Sequence, residues 1–405
     1  MLKARLNPTV PSVFVKLKYL FGSFSLSVSA FRLPFITPSH YGCTRHATRE
    51  SRRQNARLLH KSGSGHGMLS VAGPFSLTAL LCGLLTMLPS ATVCGANENG
   101  NAQYVDPFIG TEGGGNVFPG VCVPFGMVKL GPDCGNMEWN AGWAPDGNIH
   151  GFSHTHVSGT GGGCKYGNIL MLPMTGVIDL SDYSSPRENE QASVGEYSVE
   201  LTRYGTSARL TALDRAALHE YTFPAATDSR ILFDMGSCLA LKMCETQKVI
   251  GSEVRILSPT ELEGYTRVRG GWNEGEAYTV YFHAETDTPA VSFGTWKDGK
   301  TEPGKESQFD SGQKTGAYMT FNTTEVQKIR VRVGISYISC GRASANMRQV
   351  DTWDFDKVKA EATAKWNRVL DKVELDGDKN DKVKFYTALY HCYLQPTDKT
   401  GENPK

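Results

Sequence analysis

From Tyr104 to about Gly341 the chain keeps a two-residue rhythm of apolar and polar side chains, with no stretch of helical period to interrupt it. That rhythm confines this length to sheet. Gly195–Leu201 puts Tyr197, Val199 and Leu201 on one face and Glu196, Ser198 and Glu200 on the other, as a half-buried strand requires. Runs at Arg209–Leu213, His219–Phe223, Arg230–Phe233, Tyr278–His283, Gly316–Phe321 and Lys328–Ile338 repeat the pattern, with Gly, Asp, Asn and Pro between them. Their spacing is that of antiparallel sandwiches, so a large β-sandwich over residues 104–345 is the expected fold.

The period then changes. Asp354 is placed to cap a helix in which Phe355, Val358, Ala362, Trp366, Val369 and Val373 recur every three or four residues. A polar turn, Asp376–Asp381, leads to a second helix over Val383–Leu394, whose Phe385, Tyr386, Leu389, Tyr390, Cys392 and Tyr393 surround most of its circumference. A helix apolar on nearly all sides expects burial on all sides. Residues 352–396 are accordingly read as two linker helices leading into a helical domain beyond the sequence.

The amino terminus has a different character. Of 42 basic and 41 acidic residues in the chain, eleven basic and one acidic fall in residues 1–67, which leaves 31 and 40, a net of −9, for residues 68–405. The folding part is acidic, and nucleic acid is excluded as its expected partner. Phe75–Leu88 is fourteen residues without a charge, too short to span a bilayer and suited to the apolar region of a signal peptide. Residues 68–96 are read as that signal, with cleavage near Ala96 and export. Residues 1–67 are read as a basic leader, disordered or preceding a true start at Met68. Seven cysteines follow Ala96 without a zinc-type spacing. They are buried thiols, or form one or two bridges after export.

Gly, Pro and aromatic residues concentrate between Tyr104 and Pro173, which implies long shaped loops. Aromatic faces stack on the C–H face of a sugar while Asn and His bond its hydroxyls. The candidate substrate-binding residues are therefore Trp139, Asn140, Trp143, His154 and His156. Their plainer roles are loop anchoring for the tryptophans and structural hydrogen bonding for the histidines. The Gly159–Gly163 run before Lys165 lacks the order of a phosphate loop, and Asp376–Asp381 lacks the sixth-place glycine and twelfth-place glutamate of a calcium loop. No metal-ligand spacing, nucleophile–base pair or carboxylate pair can be assigned, so no catalytic residue is named.

Several stretches together resemble glycoside hydrolase family 92, exported exo-acting α-mannosidases found mainly in bacteria. They are Val105–Asp133, Gly151–Gly161, Tyr166–Pro173, Arg332–Ser339, Phe355–Leu370 and Phe385–His391, in family order. The resemblance implies an amino-terminal β-sandwich, linker helices and an (α/α)-barrel, with mannose bound between sandwich and barrel. It also implies calcium-dependent, inverting hydrolysis by a glutamate acid and an aspartate base that lie in the barrel, after Lys405. This chain would then supply part of a mannose site, be inactive by itself, and have mannose-containing glycans and its own barrel as partners. The alternative is a freestanding carbohydrate-binding module. The resemblance places Trp139–Trp143 at the sugar, gives His154 and His156 a lining or bracing role, and has Asp106 fixing the first strand. Thr397–Lys405 reads as a departure from the family's continuation.

Overall fold

Alternation along the strands sorts their side chains into two sheets. The computed structural model describes residues 3–6, 100–112, 116–134, 141–159, 165–239, 247–271, 275–312 and 314–403. The signal segment, Trp139 and Asn140 lie outside them, as does all of the leader except Lys3–Leu6, which pairs antiparallel with Val373–Asp376.

The larger sheet has nine antiparallel strands in the order 307–310, 248–256, 261–269, 278–286, 328–336, 216–222, 206–212, 196–201 and 187–193. The smaller has seven, in the order 300–303, 292–297, 315–321, 229–234, 170–175, 149–153 and 131–134. Their facing sides share one apolar core, with Leu210, Tyr221, Phe282 and Val331 from the larger sheet and Met171, Ile231, Phe233 and Met319 from the smaller. This is the expected sandwich. It begins later than the sequence suggests: Asn101–Tyr104 is a turn of 3-10 helix, and the first strand after it is Gly131–Cys134. Asp106 therefore fixes a turn. Its Oδ1 accepts from the Phe108 amide at 3.0 Å, and its own amide donates to Thr387 Oγ1 at 2.9 Å.

Three helices follow. α1 (Cys340–Met347), capped by the Ser339 hydroxyl, packs on strand 328–336, where the Asn346 amide donates to the Ile335 carbonyl at 2.8 Å. α2 (Phe355–Leu370) is capped by Asp354 as its sequence predicts. One side of α2 meets Leu213, Ala216 and Leu218 on the outer face of the larger sheet. The other carries Trp366, fully buried, whose indole N–H donates to the Cys122 carbonyl at 2.7 Å. α3 (Lys379–Leu394) starts four residues before the expected Val383, because Asp378 in the polar turn caps it. Lys3–Leu6 and the described residues from 100 to 403 belong to one compact unit.

Candidate functional site

The motif-rich loops and the strands they join place four polar side chains under the end of the smaller sheet. His156 is buried, with Nδ1 2.7 Å from the Lys129 carbonyl and Nε2 2.7 Å from Asp133 Oδ1. The Phe118 ring lies flat on the imidazole, centroids 4.9 Å apart. Ser153 Oγ approaches the same Nε2 at 3.4 Å, so serine and aspartate share one nitrogen while the other faces a backbone carbonyl. A nucleophilic relay needs the base between its two partners, one on each nitrogen. This trio cannot act as one; it is a brace. Gly142 allows the close approach beside it: its φ is 91°, and a Cβ there would stand 2.8 Å from Asp133 Oδ1. Asp133 Oδ2 is buried and has no hydrogen-bond partner among the described residues.

His154, equally buried, belongs to a second brace between the sheets. Tyr221 Oη lies 2.7 Å from His219 Nδ1, His219 Nε2 lies 3.0 Å from His154 Nε2, and His154 Nδ1 lies 2.6 Å from the Ile169 carbonyl. The terminal carbonyl only accepts, which fixes every proton: Tyr221 donates to His219, His219 to His154, and His154 to Ile169. Both rings are neutral in this arrangement. Burial, opposed by the Ile169 bond, holds His154 down to about 4. Burial and then the neighbouring His154 hold His219 well below the usual histidine range.

Trp143 is buried too. Its indole N–H donates to Glu190 Oε1 at 2.8 Å, the Arg187 guanidinium lies 5.1 Å from its ring centre, and Phe108 packs beside it. Of the five residues expected at a sugar, the three described here thus have their polar atoms committed within the protein.

The accessible chemistry is at the rim, in residues that sequence spacing did not reveal. Tyr166 has φ 71°, a conformation non-glycine residues rarely adopt. Gln247 holds it from both sides, accepting from its amide and donating to its carbonyl, each at 2.9 Å. Strain held in this way is characteristic of binding sites. The Tyr278 ring lies 5.6 Å from that of Tyr166, and its hydroxyl donates to Asn168 Oδ1 at 3.0 Å. Lys399 Nζ sits 4.0 Å from the Tyr337 ring centre and 5.5 Å from that of Tyr166, while Lys165 Nζ sits 5.3 Å from that of Tyr278. Beneath them Lys129 is buried, its ammonium donating to the Gly126 carbonyl at 2.6 Å and Thr397 Oγ1 at 2.8 Å, and burial pushes it down to about 8. The positive φ and the tail's return over this surface are tertiary effects. Lys129 and Asp133 lie inside the stretch Val105–Asp133 that carries the family resemblance, but nothing in the sequence singled either of them out. Among the described residues no three His, Cys, Asp or Glu side chains converge as metal ligands.

Residues 104–336 match the N-terminal domain model of glycosyl hydrolase family 92, and residues 342–405 match its catalytic domain model. An uncharacterized secreted glycosidase of Arthroderma benhamiae is 28% identical over 338 residues, which cover 75% of this chain and 42% of that protein. Among solved structures, the family GH92 α-mannosidase BT3965 from Bacteroides thetaiotaomicron superimposes with a TM-score of 0.67 at 30% identity, covering 73% of this chain and 42% of that one. It has also been solved in complex with mannoimidazole. The family GH92 inverting mannosidase BT2199 from Bacteroides thetaiotaomicron VPI-5482 gives a TM-score of 0.65 at 26% identity, covering 75% and 40%. The chain spans about two fifths of the length of these relatives. Because the catalytic-domain match runs to residue 405, Thr397–Lys405 follows the family instead of departing from it.

Proposed function

This chain belongs to glycosyl hydrolase family 92, and from that premise we propose that it is the amino-terminal part of an exported, inverting, exo-acting α-mannosidase that acts on mannose-containing glycans. The observation that carries this reading is the match in unbroken order, sandwich first and start of the catalytic domain second, on the fold of a mannosidase solved with a mannose-like ligand. Export is supported by the description of the Arthroderma benhamiae relative as secreted. Inversion requires an acid and a base roughly 6.5–9.5 Å apart across the scissile bond. In the proposed enzyme both come from the catalytic region that the longer relatives possess, as do the ligands of a required calcium ion. The sandwich supplies the wall of the site. In that wall Trp143, His154 and His156 brace the loops from behind, and Trp139 and Asn140 are proposed to reach the sugar.

The test is mannose release from α-mannobiose. The 405-residue chain is expected to give none, whereas the same chain continued through a family 92 catalytic domain is expected to turn over and to lose activity on calcium chelation. Turnover by the 405-residue chain alone sinks the assignment of the carboxylates to the longer enzyme. The accessible rim of Tyr166, Tyr278 and Tyr337 keeps a second reading in play, a carbohydrate-binding module. It predicts mannose binding by the 405-residue chain, measurable by calorimetry and weakened in Tyr166→Ala.

A further inference from the structure

The connection between α2 and α3 carries a strand, Val373–Asp376, that belongs to neither sheet of the sandwich. Each edge of such a strand presents the amide and carbonyl of every second residue. One edge is finished by a side chain. The hydroxyl of Tyr386, a buried residue of α3, donates to the Val373 carbonyl at 2.8 Å and accepts from the Leu375 amide at 3.3 Å. Leu375 joins Trp366, Leu370 and Tyr386 in one apolar cluster, which fixes the strand in place. The amides and carbonyls of Glu374 and Asp376 belong to the opposite edge. There Lys3–Leu6 pairs antiparallel, with Arg5 opposite Glu374 and Lys3 opposite Asp376.

A two-stranded ribbon is marginal by its ladder bonds alone. The register adds charge to them, because it sets the two basic residues of one strand against the two acidic residues of the other, and directly opposed charges of unlike sign favour a pairing. Ala4 and Leu6 fall opposite Leu375 and Val373, so the two strands alternate in phase. The complementarity extends beyond the ladder: residues 371–381 hold five acidic and two basic residues, against eleven basic and one acidic in residues 1–67. Glu374 and Asp376 are both exposed. Proteins that avoid strand addition blunt an edge with lysine, proline or a bulge. Val373–Asp376 has no lysine or proline, and its register runs unbroken.

We propose that the outer edge of Val373–Asp376 is a strand-addition site for an extended segment that alternates basic with apolar residues, and that Lys3–Leu6 is its resident occupant. Main-chain bonds give such a site its affinity, and the alternation gives it selectivity. The tether to the same chain lets Lys3–Leu6 outcompete a free peptide through effective concentration. Loss of the leader by cleavage near Ala96 empties the edge and opens it to a second segment of the same pattern. The site rests on the pairing and the charges; only its emptying rests on the export reading above.

The 405-residue chain is compared with its Lys3→Glu/Arg5→Glu variant by hydrogen–deuterium exchange, and by anisotropy of a fluorescein-labelled peptide with the sequence of residues 1–10. The Glu374 and Asp376 amides are expected to exchange at least about tenfold faster in the variant. The Leu375 amide, held by Tyr386, stays protected in both and reports an intact fold. The peptide is expected to bind the variant, and to bind the wild type at least about tenfold more weakly. Adding Glu374→Lys/Asp376→Lys to the variant swaps the charges across the ladder and is expected to restore protection. Equal exchange of Glu374 and Asp376 in wild type and variant overturns the proposal. So does peptide binding that is equal in the two proteins or absent from both, and so does a charge swap that restores nothing. None of these measurements reads mannose release, so the edge site can fail while the mannosidase reading stands.

Discussion

Acidification probes the His219–His154 chain directly, because its hydrogen bonds admit no extra proton. A proton on His154 Nε2 would set two donors against each other across 3.0 Å. In the unfolded chain the same histidine takes its proton near 6.5, against about 4 in the folded protein. The folded state therefore binds fewer protons between those values, and stability rises with pH across the window. It is fully present above 6.5 and is lost as pH falls towards 4. The difference of about 2.5 pH units is worth about 3 kcal/mol once both states are protonated, and about 2 kcal/mol has gone by pH 5. His219 shifts in the same direction and adds to the loss. Burial pushes the Asp234 carboxyl up, which works in the opposite sense, so the informative quantity is a difference between variants. Urea unfolding at pH 7.5 and pH 5.0, followed by tryptophan fluorescence, is compared for wild type and His154→Gln/His219→Gln, in which amides keep hydrogen bonds and do not titrate. Wild type is expected to lose at least about 2 kcal/mol more than the double variant on acidification. Equal losses would refute the assignment of acid sensitivity to this pair.

Trp143→Ala empties a buried site, while Glu190 keeps its bonds to Tyr197 and Arg187, so it should destabilise by about 3–5 kcal/mol through the lost packing, read as a lowered urea midpoint; an unchanged midpoint would show that the indole is not packed as described. Glu402 is fully buried and bonds Ser336 Oγ at 2.6 Å, the Tyr337 amide at 2.9 Å and Asn346 at 2.9 Å, with Arg215 3.2 Å away. Glu402→Ala should cost about 3–5 kcal/mol by leaving that arginine uncompensated, with faster proteolysis in residues 395–403 as the second readout. Gly334→Ala places a Cβ 2.2 Å from the Ala343 carbonyl, so α1 cannot seat on its strand; circular dichroism and melting should both show the loss, and a native-like melt contradicts the packing.

The strands most legible in the sequence were those with one wet face. Glu196–Leu201 and Tyr278–Thr286 lie within one residue of where their alternation begins. Strand 187–193 is mostly polar and exposed at a sheet edge, so alternation could not announce it. α1 was missed because Cys340–Met347 is short, contains a glycine and owes its place to Gly334 and Asn346, which are contacts made at a distance in sequence. The site divided along the same line. Residue type drew attention to Trp143, His154 and His156, but type cannot tell a side chain that lines a pocket from one that props the loop behind it. The rim lysines looked like ordinary surface charge until the tail laid Lys399 over Tyr337 and Tyr166.

The two family domains divide between residues 336 and 342, yet the structure has no mechanical joint there. α1 seats on the last strand of the sandwich, the Trp366 indole is tied to the loop at Cys122, and Glu402 stitches the tail back to Ser336. A protein cut at this evolutionary seam would expose Leu213, Leu218 and Val117, which now lie beneath helices, and would be expected to clump in solution. Anyone expressing the sandwich for crystallography or sugar-array work should therefore carry the chain past residue 402, treating α1, α2, α3 and the returning tail as its lining.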